Sequence, residues 1–589
     1  MNDALVNSNI PLSPEKKRAL LAQLLREKAD KSRPLPLSFA EKRMWLLHQL
    51  DRDSSAYNSQ MLVRFTGQLD ITVLEKSLNE VIRRQEILRT IFPTTDGQPF
   101  RFICSTTDTN QLPIADLQTI SELEREGEAQ RLISDNVNQP FDLNRGPILR
   151  SLIIRLDTQQ YLLLLMMHHI IVDVWSFNIL MQELVALYKA FSDGQQSPLP
   201  ALSLQYADFA EWQQQRFQRE ALQPQLQYWK NKLAGSPLLL ELPTDRPRPT
   251  FQSFNGSRHA KILPAAIAKS LNTLSRDREI TPFIIMLTAL KILFFKWTEQ
   301  HDIVVGTVVA DRSLAETEKL MGCFLNFLPL RSILSSDQTG SELLQQVKKT
   351  VLEAYAHQSC PFEKIVEAIN PSRRLNLNPI YNVGFLMHNF HFSLDIHLND
   401  KLEAYMMPLD IQASVLDLRF IAIPKDLYEE MVIECEYNVD LFDADTITDL
   451  ANCYQEILKI LVESPETKLS SFELSKNIKT RAEISKVSVQ TQQNSMQPTP
   501  KIEPTYLTNR IEQIIMNIFI EVLGYSNIGI NDNFFALGGD SFQAAQIIAK
   551  LENTFQVELS SRSLIKSPTV AGLAIRIQQK QSSHIVSTT

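Results

Sequence analysis

The residues best suited to chemistry lie in one short run, Met167-His168-His169-Ile170-Ile171-Val172-Asp173-Val174-Trp175-Ser176. Two adjacent histidines follow a continuous apolar stretch, at what reads as a strand-to-loop junction. An imidazole that titrates near neutrality can take a proton from an amine or hydroxyl nucleophile, which is what acyl transfer demands. Neighbouring strand residues point to opposite faces, so one ring is expected to address a site while the other packs or orients. Asp173, four residues beyond His169, is placed to fix local geometry through an arginine, and Ser176 is a further catalytic candidate. A histidine pair at a strand end is often structural, so this run alone leaves the chemistry open. Metal chemistry is disfavoured, because no third His or Cys ligand stands at familiar spacing. A serine nucleophile is disfavoured too, because no GxSxG elbow is present.

A second run, Asp532-Asn533-Phe534-Phe535-Ala536-Leu537-Gly538-Gly539-Asp540-Ser541, precedes an apolar helix that begins near Phe542. Gly538 and Gly539 permit a tight turn that leaves Ser541 exposed at a helix N-terminus, where the dipole and free N–H groups tolerate a phosphodiester. Taken alone, a GGxS turn is equally a capped loop whose serine merely starts the helix.

The elements that must position these runs divide the chain. At 589 residues it exceeds one ordinary core. A hydrophobic share of 44%, a charged share of 21% and a net charge of −8 suit a globular protein and offer no basic footprint for nucleic acid. The polar Met1 to Pro11 does not resemble a signal peptide, and the apolar stretch from Phe283 to Trp297, broken by Lys291, falls short of a membrane span. Five scattered cysteines, odd in number and never at CxxC spacing, predict reduced thiols, hence a cytoplasmic setting. Residues Ser13 to Lys31 read as a charged amphipathic helix. Helical spacing recurs over Leu74 to Arg84, and apolar runs at Ile148 to Arg155, Tyr161 to Met167 and Asp302 to Ala310 read as strands, the last two buried. Between about residues 470 and 505 Ser, Gln, Lys, Thr and Pro dominate, as in a linker. Helical periodicity returns over 506–580, with segments around Ile511 to Phe519, Ala544 to Leu551 and Val570 to Ile577.

The histidine run resembles the HHxxxDG active-site motif of nonribosomal peptide synthetase condensation domains. Further blocks follow the family's order. Ser38 to Trp45 resembles SxAQxRLW, Arg84 to Phe92 resembles RHExLRTxF, and Tyr206 to Trp212 matches YxDFAxW. Met321 to Asn326 resembles IGxFVN, His357 to Glu363 resembles HQDxPFE, and Asn378-Pro379 keeps the end of RDxSxNP. The second run resembles the DxFFxLGGxS attachment motif of peptidyl and acyl carrier domains, and Ser567-Pro568-Thr569-Val570 their closing helix start.

The resemblance implies a two-lobed α/β fold like chloramphenicol acetyltransferase, a V-shaped pseudo-dimer with its site in a tunnel between the lobes, and then a small all-α four-helix carrier. The expected organisation is a helical arm or docking element at 1–32, a condensation domain at 33–467 (lobes roughly 33–210 and 211–467), a linker at 468–505, a carrier at 506–580 and a tail at 581–589. His169 would be the second motif histidine, orienting the acceptor, acting as base or stabilising developing charge, with His168 beside it. Asp173 would be structural, paired with Arg312 or Arg331. Ser541 would carry 4'-phosphopantetheine, with Gly539 and Asp540 shaping the site. The implied reaction joins an upstream carrier-bound acyl thioester to an amine, or less readily a hydroxyl. The implied partners are that upstream carrier, a phosphopantetheinyl transferase and an adenylation enzyme loading the carrier in trans, with no nucleic acid or membrane. Several positions depart from the pattern: Val174 replaces glycine, Gln85 replaces histidine, Glu41 replaces glutamine, and Arg374-Leu375-Asn376 lacks the usual aspartate and serine. These departures keep a second expectation alive, a noncatalytic condensation-like platform that recruits tailoring enzymes to its carrier.

Overall fold

A computed structural model describes residues 35–483 and 510–586, less short internal stretches of which 370–377 and 389–394 are the longest. The expected arm at 1–32, most of the linker, Asp540 and the Arg374-Leu375-Asn376 departure lie outside the described residues.

Helix α1 (Phe39–Leu50) opens the first lobe, started by a capping box in which Ser38 and Glu41 satisfy each other's backbone N–H. Strand β1 (Asn58–Gly67), helix α2 (Ile71–Arg84), and strands β2 (Ile114–Asp116), β3 (Leu149–Asp157) and β4 (Gln160–His168) follow. The apolar run in β4 makes it a central strand, paired with β1 on one side and β3 on the other and buried from Tyr161 to His168. Helix α3 (Val174–Ser192) leaves directly from the histidine loop, and α4 (Tyr206–Phe217) closes this part of the chain.

The second lobe begins with β5 (Gly256–Leu263) and helix α5 (Pro282–Thr298), whose residues from Ile284 to Phe295 are all buried. Strands β6 (Asp302–Ala310) and β7 (Leu325–Ile333), helix α6 (Phe362–Ile369) and strand β8 (Val383–Met387) come next. Strands β9 (Asp395–Asn399) and β10 (Leu402–Met407) return to the first lobe, where β10 pairs with β1. Strands β11 (Leu418–Lys425) and β12 (Glu430–Asn438) and helix α7 (Ala444–Glu463) complete the second. Each lobe is thus a six-stranded sheet, ordered β9-β10-β1-β4-β3-β2 in one and β7-β6-β8-β11-β12-β5 in the other.

The lobes exchange chain, so a cut at 210/211 does not separate them. Besides β9 and β10, the β6–β7 connection drives Leu314, Leu320, Met321, Cys323 and Phe324 into the first lobe's core. The second core also runs past residue 468, burying Leu469, Phe472 and Ile478. The linker therefore starts later than composition suggests, because three spaced apolar residues suffice to anchor a polar segment.

The C-terminal unit comprises α8 (Arg510–Leu523), α9 (Ser541–Phe555), α10 (Ser561–Lys566) and α11 (Val570–Val586) around its own core of Ile515, Phe519, Phe534, Ile547, Leu551 and Leu573. Helix α11 continues past residue 580, since no glycine or proline interrupts it before Val586. Among the described residues no single helix is long and apolar enough to cross a membrane.

Candidate functional site

Strand β4 ends at the histidine pair, and the two rings part as strand alternation requires. His168 faces the first core, 2% exposed, with His48, Phe141 and Tyr57 rings at 5.3, 6.3 and 6.4 Å. Its Nδ1 accepts the Ile170 N–H at 3.1 Å, so its proton sits on Nε2, and burial pushes its pKa well below the usual histidine value.

His169 lies on the other side, partly exposed. Its backbone N–H donates to the Tyr57 carbonyl at 2.8 Å. Its Nδ1 lies 2.7 Å from the Val172 carbonyl oxygen, which can only accept. Nδ1 therefore carries the proton, and Nε2 keeps a lone pair with no partner claimed by that bond. Burial lowers the His169 pKa and the Arg43 charge adds to this, while the Asp173 charge and the carbonyl bond oppose. The ring is thus a free base at neutral pH, held in the tautomer that can accept a proton.

Asp173 caps α3 and ties the loop to the chain crossing from the second lobe. Both carboxylate oxygens take Arg312 Nη2 at 3.0 Å, with the side chains 1% and 5% exposed. The same carboxylate accepts the Ser176 N–H at 2.8 Å and the Phe324 N–H at 3.3 Å. Arg331 instead pairs with Asp302 at 2.7 Å, so Arg312 is the aspartate's partner. Ser176, expected as a catalytic candidate, is wholly buried. Its Oγ donates to Asp173 at 2.6 Å and accepts the Gly322 N–H at 3.0 Å. The capping box engages this hydroxyl, which lies buried in the loop. Gly322 has no room for a side chain: a Cβ there would stand 1.9 Å from the Tyr206 ring.

Two departures from the family pattern are absorbed locally. Glu41 forms a buried ion pair with Arg101, whose guanidinium lies 5.4 Å over the Tyr206 ring. Gln85 uses both ends of its amide, donating to Glu183 at 3.2 Å and the Lys319 carbonyl at 3.1 Å and accepting the Met321 N–H at 3.1 Å. In the second lobe Asn326 clamps the 358–362 turn, donating to the Gln358 and Cys360 carbonyls at 2.6 and 2.8 Å and accepting the Phe362 N–H at 3.0 Å. That turn starts α6 and presents Glu363 to Arg43 of α1 at 2.8 Å, across the lobes.

Ser541 is the first residue of α9, a 15-residue helix. Before it, Gly539 sits against Phe534, whose ring would stand 2.4 Å from an added Cβ, so the turn closes only on glycine. A serine opening a helix, at the positive end of its dipole, suits the phosphodiester of a pantetheine arm, and Gly539 is the cradle a side chain would fill. Sequence spacing gives no sign of where this unit sits. Helices α9 and α10 pack against α1. Arg52, held by Gln49 at 2.8 Å, meets Glu552 at 3.3 Å, and a Cβ on Gly97 would lie 3.3 Å from the Gln546 backbone.

Comparison with known proteins agrees with this geometry. The family model described as condensation domain matches residues 31–482, and the one described as phosphopantetheine attachment site matches 513–577. Chondramide synthase cmdD of Chondromyces crocatus is 36% identical over 440 residues, 75% of this chain and 11% of that protein. Phosphinothricin tripeptide synthetase PhsC of Streptomyces viridochromogenes is 34% identical over 474 residues, 78% of this chain and 43% of that protein. The chain thus spans about a ninth of the chondramide synthase and under half of PhsC. Among solved structures, the X-domain from teicoplanin biosynthesis superposes with TM-score 0.68 at 28% identity, covering 75% of this chain and 98% of that one. The first condensation domain of the calcium-dependent antibiotic synthetase, at 19% identity and TM-score 0.63 over 76% of this chain and 100% of that one, shares the fold.

Proposed function

The chain belongs to the condensation domains of nonribosomal peptide synthetases, with a phosphopantetheine attachment domain behind it, and from that premise we propose that it joins an acyl group to an acceptor held on its own carrier. The observation that carries this reading is His169. It is a partly exposed imidazole whose Nδ1–H is spent on the Val172 carbonyl and whose Nε2 is a free base at neutral pH. A phosphopantetheine arm on Ser541 would supply the thiol that presents the acceptor as a thioester. His169 Nε2 would take the proton that an attacking amine sheds as the new C–N bond forms, and as the donor thioester's C–S bond breaks the departing sulfur of the upstream carrier's arm would leave as a thiol, taking that proton back from the imidazolium. Asp173, Arg312 and Ser176 hold the loop that aims the ring, and the carrier, packed against α1, would bring its own cargo to His169. An upstream carrier would deliver the donor, and a phosphopantetheinyl transferase would modify Ser541. An amide is the proposed product, with an ester the alternative.

Intact-protein mass spectrometry of the full chain tests this, with the carrier loaded and a donor-bearing upstream carrier supplied. Transfer of the donor mass to the Ser541 arm in wild type, lost in His169→Ala, supports the reaction. The X-domain likeness favours a second reading, a platform that receives another enzyme; a solved X-domain structure is a complex with OxyB. Equal masses in wild type and variant, with no transfer in either, would favour the platform.

A further inference from the structure

Tyr57 stands beside His169 where the first lobe touches the second. It precedes β1, and the pairing of Asn58 with His168 places it opposite His169 across the two strands. The His169 N–H closes that pair on the Tyr57 carbonyl at 2.8 Å. Residues opposite one another in such a pair have Cβ atoms about 5 Å apart. The phenol ring lies 6.4 Å from the His168 ring and meets Phe254 of the second lobe edge to face, centroids 5.7 Å apart. The Arg43 charge reaches both the Tyr57 hydroxyl and the His169 ring, so the two share one neighbourhood. Tyr57, Phe254 and His169 are each part-exposed.

Each ring is mounted on backbone held at several points. Asn58, next to Tyr57, donates its side-chain amide to the Val137 and Gln139 carbonyls at 2.8 and 3.0 Å, and its N–H to the Ser55 carbonyl at 2.9 Å. Phe254 lies on a segment laid along residues 412–414. Its carbonyl accepts the Ser414 N–H at 2.9 Å, and the Gly256 N–H donates to the Gln412 carbonyl at 3.1 Å. A Cβ on Gly256 would stand 2.3 Å from the Ala413 carbonyl carbon, so this approach closes only on glycine. Two rings in edge-to-face contact on such mounts make a wall of defined position between the lobes. A group that reacts at His169 has to share the space beside that wall. In an apolar pocket a single methylene shifts selectivity by about 10- to 200-fold, so a ring has ample leverage.

We propose that the Tyr57–Phe254 ring pair sets how large a side chain the substrate carries next to the bond being formed, admitting compact apolar groups and turning away aromatic ones. The inference rests on the proposed acyl transfer at His169. Tyr57 and Phe254 select among substrates and take no proton. The chemistry they read is side-chain bulk on the unit being joined, whether that unit arrives as donor or as acceptor.

The test uses the full chain and follows transfer by intact-protein mass spectrometry in two competition series. One sets N-acetylalanyl against N-acetylphenylalanyl donors with a glycyl acceptor; the other sets alanyl against phenylalanyl acceptors with an acetyl donor. Wild type should favour the alanyl member in at least one series. In that series Phe254→Ala and Tyr57→Ala should each raise the phenylalanyl-to-alanyl ratio of rates at least about tenfold, which identifies the unit that meets the rings. Tyr57→Phe keeps the ring and should keep the wild-type ratio. Damage to the fold alone would slow both members together and leave the ratio where it was. A wild type that favours phenylalanyl in both series, or a ratio unmoved in both alanine variants, overturns the ring pair as selector and leaves the reaction standing. No transfer by wild type with any pair overturns the proposed reaction, and this inference with it.

Discussion

Replacing Asp173 with alanine should unsettle the condensation unit far more than its single lost side chain suggests. The carboxylate is 1% exposed and its partner Arg312 5%, so the substitution strands a cation that water cannot reach. Breaking such a pair costs about 3–5 kcal/mol. The same carboxylate caps α3, and losing a cap costs about 1 kcal/mol. These terms share one group and overlap, so a loss of about 4 kcal/mol is expected. For a unit matched over residues 31–482 the unfolding entropy is roughly 1 kcal/mol per degree, which makes this a fall of about 4 °C in Tm. Urea unfolding of Asp173→Ala, Arg312→Ala and the double variant gives the coupling directly. The double variant should lose at least about 2 kcal/mol less than the two single losses combined, because the second substitution removes a charge already stranded. Losses that add to within about 0.5 kcal/mol would refute the ion pair as the tie between loop and lobe crossing.

His169 has its pKa lowered chiefly by burial, and in the proposed reaction the base form is the one that acts. The rate should therefore be flat through neutrality and fall only as pH drops through a value below the ordinary 6.5; a profile still rising above pH 7.5 would contradict the assignment. Lys291 is fully buried in α5, and burial pushes its pKa down to about 7 from 10.5. Its Nζ donates to the Leu330 carbonyl and Ser332 Oγ, two bonds that a neutral amine can make. Above about pH 7 the unfolded chain binds a proton that the folded chain has released, so stability should rise with pH from 7 toward 10.5, by up to about 1.4 kcal/mol per unit. Lys291→Met should lose that slope when unfolding is compared at pH 7 and 9. The Arg52–Glu552 contact is part-exposed, at 33% and 20%, so Arg52→Glu should weaken carrier docking only a few-fold, about 0.5–1 kcal/mol. Amide hydrogen exchange across α1 and α9 reads the change, and adding Glu552→Arg should restore protection.

What was legible in the sequence was local. The buried strand before the histidines, the divergence of two adjacent rings, and the turn that leaves Ser541 at a helix start all depend on residues within a few positions of one another. Pairings over long separations were not legible. Arg312 and Arg331 were equivalent candidates for Asp173, and only the path of the β6–β7 connection into the first lobe separates them, across 139 positions. Ser176 looked available because its type is reactive. The capping box and the Gly322 N–H use it up, and Gly322 lies 146 positions away. The return of β9 and β10 to the first sheet has no local signal either, since a strand's pattern says that it pairs but not with which partner.

The departures from the family pattern carry different weights once their neighbours are known. A buried glutamate in place of glutamine would be costly alone, but Arg101 supplies the opposing charge, so Glu41 belongs to a two-residue exchange. Gln85 spends every useful bond of its amide on Glu183 and the 319–321 segment, which fastens the lobe crossing beside the site. Neither change loosens the histidine loop. Val174 stands at the first helical position of α3 with a negative φ, so the backbone there has no need of glycine and carries no strain from its loss. What Val174 changes is volume alone, a branched side chain one residue from the aspartate that holds the loop. A loosened site would leave the exchanged residues unpartnered and the His169 ring in either tautomer. Here Glu41 and Gln85 are partnered and the Val172 carbonyl still fixes the proton on Nδ1, so these departures leave the geometry of the histidine loop intact.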